Sequence, residues 1–133
     1  MLSCTGAAAG PAPLIAQDAW VRATPGVDVA AAYLTLHNGG TRAVVVTGVR
    51  CALAGQAIIH ETALNNGQSA MRPHARLSIA AGETVRLEPG GLHVMLSMLA
   101  HPLAPGEKVP LQLLLDGGGT LAVIAPVRPL GAG

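Results

Sequence analysis

Short apolar runs recur along most of the chain, and each ends at a turn signal of Gly, Pro, Asn or Asp. Ala19 to Ala23 stops at Thr24-Pro25-Gly26, and Val29 to His37 stops at Asn38-Gly39-Gly40. Further runs follow at Ala43 to Val49, Ala57 to Glu61, Leu77 to Ile79, Thr84 to Leu87, Leu92 to Met98, Val109 to Leu115 and Thr120 to Val127. Alanine propensity alone would make residues 30 to 36 helical. Yet Ala32, Leu34 and Leu36 alternate with Tyr33, Thr35 and His37, a period of two, so a strand is predicted. Roughly seven to nine strands at this spacing predict an all-β sandwich or Greek-key barrel. Thr62 to Ala70 contains Asn65-Asn66-Gly67 and no apolar pattern, and is predicted as a loop between His60 and Met71.

The length of 133 residues fits one domain. Residues 1–16 are mostly Ala, Gly, Pro and small polar residues and read as a tail or tether. The domain is then expected over 17–128, with a short tail over 129–133. Half of the chain is apolar, but it holds one Trp, one Tyr and no Phe, so the core must come from small aliphatic contacts. Eight basic and seven acidic residues, well dispersed, form no stripe that could neutralise phosphates, which excludes nucleic acid as a partner. No apolar stretch approaches the roughly 20 residues of a membrane-crossing helix. The domain is read as a monomer.

The two cysteines, Cys4 and Cys51, lie far apart and outside any C-x-x-C pattern, which excludes a zinc knuckle and a thioredoxin-like motif. A disulfide between them is allowed but not forced. Met1-Leu2-Ser3-Cys4 resembles the end of a bacterial lipoprotein signal, without the basic and apolar regions that precede such a site. An incidental cysteine and a lipid anchor at Cys4 of an extracytoplasmic protein both stay open.

The most informative segment is Leu92-His93-Val94-Met95-Leu96-Ser97-Met98. Alternation assigns Leu92, Val94, Leu96 and Met98 to the core face and His93, Met95 and Ser97 to the other. His93 and Met95 then project together, about 7 Å apart at their α-carbons, near enough for an imidazole and a thioether to share one ion. Taken alone, the pair also fits a surface imidazole beside a gap-filling methionine. The rest of the chain adds His60 and Met71, giving the spacing H-x10-M-x21-H-x-M.

With those four residues in their surroundings, the chain resembles the PCu(A)C family of periplasmic copper chaperones. The resemblance runs from about Ala19 to Val127. It includes Ala31-Ala32-Tyr33-Leu34-Thr35-Leu36 before Asn38, His60-Glu61-Thr62, Met71-Arg72-Pro73, Pro89-Gly90-Gly91 before His93-Val94-Met95-Leu96, and Pro102-Leu103 before Gly106-Glu107. It implies a cupredoxin-like β-barrel that binds Cu(I) through His60, Met71, His93 and Met95. It further implies delivery to the CuA centre of cytochrome c oxidase subunit II, beside Sco-type proteins, in the periplasm. Two departures stand out. Only Met71 remains of a methionine-rich stretch, and the tail after Val127 lacks the His and Met residues with which some members bind Cu(II).

The ligand chemistry agrees on separate grounds, because thioethers favour Cu(I) whereas imidazole accepts several metals. His37, His74 and His101 read as turn or loop residues, and Glu61 at most orients His60. An enzyme is disfavoured: His60-Glu61-Thr62-Ala63-Leu64 has Leu64 where H-E-x-x-H needs its second histidine. A blue-copper electron-transfer site needs a Cys thiolate with His and Met close behind, which Cys51 lacks. A metal-free β-sandwich binding module remains the alternative if the spacing is coincidence.

Overall fold

Alternation of small aliphatic residues with polar ones drives most of the chain into strands, since each strand must bury one face and wet the other. The computed structural model describes residues 14–23, 26–65, 68–73 and 76–128. Its strands are β1 (Leu14–Ala23), β2 (Ala30–Asn38), β3 (Val44–Cys51), β4 (Ala54–Asn65), β5 (Gln68–Pro73), β6 (Leu77–Ile79), β7 (Thr84–Leu87), β8 (Leu92–Leu99), β9 (Lys108–Leu115) and β10 (Thr120–Arg128). The all-β expectation holds. Strand β1 begins at Leu14, so 14–16 extend the sheet into the stretch that composition assigned to the tail, and Leu14 is buried.

The strands follow the order β5-β4-β8-β2-β1-β10-β9-β3-β6, and β7 pairs with β2. Among the described residues only β10 and β1 pair in parallel. Consecutive strands β3 and β4 do not pair: β3 joins β9 and β6, while β4 joins β8 and β5. The sheet therefore curls into a half-barrel. Its inner face carries one core that includes Val21, Leu36, Val46, Ile79, Leu96, Val109 and Leu113, and no aromatic ring belongs to it among the described residues. Cys51 lies in that core as a free thiol, and Cys4 lies outside the described residues.

Asn38, fully buried, ties the end of β2 to two turns. Its amide donates to the carbonyls of Arg42 at 2.7 Å and Ile79 at 3.0 Å, and its side-chain oxygen accepts from the Gly40 N–H at 3.0 Å. The main chain joins in, through Asn38 N–H to the Glu83 carbonyl and Gly82 N–H to the Asn38 carbonyl. Beside it His37 bonds Thr84 Oγ1 at 2.8 Å, which makes it a surface tie between β2 and β7.

Two local departures from the sequence expectation matter. The first is Met98, expected in the core by alternation but 59% exposed, because a left-handed φ of 53° turns it out of the strand pattern. This geometry is accommodated by Gly55, where a Cβ would lie 2.9 Å from Met98 Cβ and 3.5 Å from its carbonyl oxygen. Gly55→Ala should therefore destabilise the fold by about 1–3 kcal/mol, as overpacking does. Adding Met98→Gly removes the clashing atom and relieves the left-handed strain, so thermal unfolding of the double variant should recover most of the loss. A loss unchanged in the double variant would contradict this contact.

The second departure is the stretch expected as a loop after His60. It is largely an antiparallel hairpin of β4 and β5, with Thr62 opposite Met71 and Asn65 opposite Gln68. Asn66-Gly67, a favoured hairpin dipeptide, lies between the strand ends. The sequence hid these strands because they are polar, with no apolar face to produce an alternating signal.

Candidate metal centre

Pairing of β4 with β8 is what brings the two histidines together. His60 and His93 are direct register partners, and Ile58 faces Met95 two residues along. Directly opposed residues share a face, and so do residues two apart on one strand. His60, His93 and Met95 thus stand on the outer face, opposite the core side chains of Ile59, Val94 and Leu96. Strand β5 sets Met71 opposite Thr62, two residues past His60, a register position belonging to the same face. The side chains of 63–75 lie outside the described residues, and His74 with them.

The imidazole rings of His60 and His93 meet edge to face at 5.9 Å between centroids. His93 is only 4% exposed despite facing away from the core, because Tyr33 packs beside it at 6.4 Å. His93 Nδ1 lies 3.2 Å from the Gly91 carbonyl. A carbonyl only accepts, so Nδ1 carries the proton and Nε2 is left with a free lone pair. The same carbonyl accepts the N–H of Thr62 at 3.1 Å, which anchors β4 at the ring it orients. The carbonyl of Gly91 thus orients His93, and a backbone acceptor of this kind leaves no side-chain signature.

Two nitrogens stand out. His60 Nδ1 and His93 Nε2 are both buried and have no hydrogen-bond partner among the described residues. Buried polar atoms are nearly always paired, and each one left unpaired costs about 1–3 kcal/mol. Two such atoms on adjacent rings are groups that an electrophile could satisfy. Burial, and then repulsion from His93, lowers the pKa of His60 below its ordinary 6.5. His60 therefore stays neutral, with its lone pair free, to a lower pH than an exposed histidine.

The sign for stability follows. The unfolded chain takes up the His60 proton more readily than the fold does, so this contribution is complete above about pH 6.5 and is lost as pH falls toward the lowered folded value. In the copper-free protein, the ring protons of His60 should titrate in NMR with a midpoint below 6.5. A midpoint at or above that value would contradict a desolvated ring.

Among the described residues, no three His, Cys, Asp or Glu side chains come close enough to hold a metal between them. The other donor beside the histidine pair is Met95, the neighbour two residues along β8. Cys51 is not beside the pair, since it sits in the core on β3. His101 is occupied elsewhere, 2.6 Å from Glu107, and this bond is the main reason the Glu107 carboxyl has a lowered pKa. No helix among the described residues is long and apolar enough to cross a membrane.

Residues 14–127 match the family described as "Putative lipoprotein LpqE-like". "Putative lipoprotein Lxx21020" of Leifsonia xyli subsp. xyli is 36% identical over 111 residues, covering 83% of this chain, which spans 66% of that relative's length. Among solved structures, the solution structure of CuI-DR1885 from Deinococcus radiodurans is 32% identical, with a TM-score of 0.70, over 95% of this chain and 85% of that one. Its apo form is 34% identical at a TM-score of 0.68, over 91% and 82% of the two chains. The copper-bound PCuAC domain from PmoF2 superposes with a TM-score of 0.74 over 90% of this chain and 96% of its own, at 20% identity, a likeness of fold. The cupredoxin-like architecture is that of the present half-barrel.

Proposed function

Since the chain belongs to the LpqE-like, PCu(A)C-type family, we propose that it is a copper chaperone, taking up one Cu(I) through His60, Met71, His93 and Met95 and passing it to a partner protein. One observation carries this reading: the two adjacent, buried and unpartnered ring nitrogens of His60 and His93. Two imidazoles alone would accept zinc or copper, and the thioethers of Met71 and Met95 turn the choice toward Cu(I). Methionine has no charge and no proton to lose, so the ion keeps its positive charge and can move to a site rich in thiolates. The relative in solution with Cu(I) supports the same oxidation state.

The acceptor in this reading is the CuA-bearing subunit II of cytochrome c oxidase, with a Sco-type protein beside it, and the chain works outside the cytoplasm. The lipoprotein relatives support that location, with Cys4 as the anchor. The role is delivery, not catalysis.

Anaerobic titration with Cu(I) against a competing chelator should give one ion per chain. The loaded protein should then fill a purified CuA domain of subunit II. Failure to hold Cu(I) against the weakest chelators would end the copper reading; retention without transfer would end the delivery role. The copper-free form should already be folded, because its aliphatic core is complete without metal. Far-ultraviolet circular dichroism that changed from coil to sheet on adding Cu(I) would contradict this.

A further inference from the structure

A chain with one Trp, one Tyr and no Phe has its largest apolar side chains in short supply, yet neither aromatic residue joins the core cluster. Both stand on the outer face, in line with the histidines. Trp20 on β1 is the register partner of Tyr33 on β2, with ring centroids 4.8 Å apart. Tyr33 meets His93, and His93 meets His60. At the far end the Arg128 guanidinium lies over Trp20 at 4.8 Å. In the adjoining row Arg22 faces Ala31, which faces Met95. Arg22 and Arg128 are themselves register partners across the parallel β1–β10 pair. Neither makes an ion pair among the described residues.

Like charges set directly opposite on neighbouring strands oppose folding; Arg128 gains from its contact with Trp20, but no carboxylate among the described residues neutralises the pair, an arrangement that the chain itself leaves incomplete. Its rationale is a partner. Trp, Tyr and Arg are the residue types most enriched where proteins bind tightly, and guanidinium forks pair with carboxylates. At about 4.8 Å per strand, Arg22 starts only about 10 Å from Met95, with the small Ala31 between them.

We propose that the outer face of β1 and β10 around Arg22, Arg128 and Trp20 is the docking surface for a copper-exchange partner whose own contact surface is acidic. The proposal rests on the copper reading of the neighbouring histidines. Docking there brings the partner's thiolates within reach of the bound ion, which moves as Cu(I). Imidazole and thioether bonds to copper give way to thiolate bonds, the thiol protons go to solvent, and no electron is transferred.

The test uses two synthetic peptides with the same Cys-x-x-Cys acceptor, one flanked by glutamates and the other by glutamines. Anaerobic Cu(I) transfer from the loaded protein should be about tenfold faster to the glutamate peptide at low ionic strength, an advantage that disappears at high salt. The Arg22→Gln/Arg128→Gln variant should take up Cu(I) and serve the glutamine peptide at the wild-type rate, but lose the preference. A copper-independent arm uses the glutamate peptide with serines in place of its cysteines. Bound to the copper-free protein, it should change the fluorescence of Trp20, the chain's only tryptophan. Equal rates for the two peptides with no change in Trp20 fluorescence, while Cu(I) uptake is intact, would overturn the docking surface and leave the copper reading standing. So would a preference that survives in the variant. If the copper-free chain instead binds phosphatidylglycerol vesicles through these arginines and ignores the peptides, the face belongs to a membrane and the proposal fails. A chain that takes up no Cu(I) overturns the copper reading and the exchange role with it.

Discussion

Replacing Met71 and Met95 together by Ala should lower Cu(I) affinity by more than about a hundredfold and Zn(II) affinity by less than about tenfold. The floor comes from metal sites in general, where losing even an outer partner of a ligand costs about 10–100-fold, and a direct ligand counts for more. The asymmetry comes from softness, since thioether sulfur stabilises Cu(I) and contributes little to zinc. His60 and His93 would remain as a two-imidazole site that does not discriminate. Met95 stands two residues from His93 on the outer face of β8, so its truncation leaves the core untouched. Competition titrations for each metal, with circular dichroism to verify the fold, check this. Equal losses for the two ions would remove the thioethers from the selectivity argument.

Asn38→Asp should destabilise the fold by about 3 kcal/mol or more, roughly 12 °C in melting temperature at about 4 °C per kcal/mol. The change is isosteric, so it isolates hydrogen bonding from packing. The Asn38 amide donates to two carbonyls, at 2.7 and 3.0 Å, and a carboxylate would set oxygen against oxygen at both. Only the bond accepted from Gly40 N–H survives. Acid should relieve part of the damage. The new carboxyl, buried against carbonyls, has its folded pKa raised, so the variant is least stable above that value and regains stability as protonation restores one donor. Urea unfolding of both proteins at neutral and acid pH reads this directly. A variant within about 0.5 kcal/mol of the parent would show that water replaces these bonds.

Much of this could be read from local sequence because β-strands report their own faces. His93 and Met95 share a face by alternation alone, and the flanking Val94 and Leu96 are fully buried as that pattern requires. What alternation cannot supply is register between strands distant in the chain. That His60 sits opposite His93 follows from a pairing that the curled sheet makes across a long separation, and that Trp20 sits opposite Tyr33 follows from a register shift within β1. The hairpin carrying Met71 was hidden by its polar composition. Met98 departs from the alternation because its own left-handed backbone reverses the pattern locally, and Gly55, which makes room for it, looks like any other glycine in sequence. Asn38 reads as a turn residue in sequence; its burial becomes evident only once three turns and strand ends converge on it.

If one Cu(I) is held by two imidazoles and two thioethers on this face, X-ray absorption of the anaerobically loaded protein will show it. One copper per chain is expected in the Cu(I) state, with a mixed nitrogen and sulfur shell. Sulfur should be lost in the Met71→Ala/Met95→Ala variant and nitrogen in His93→Ala. A shell of nitrogen or oxygen alone in the intact protein, or a sulfur contribution unchanged when both methionines are gone, would contradict it.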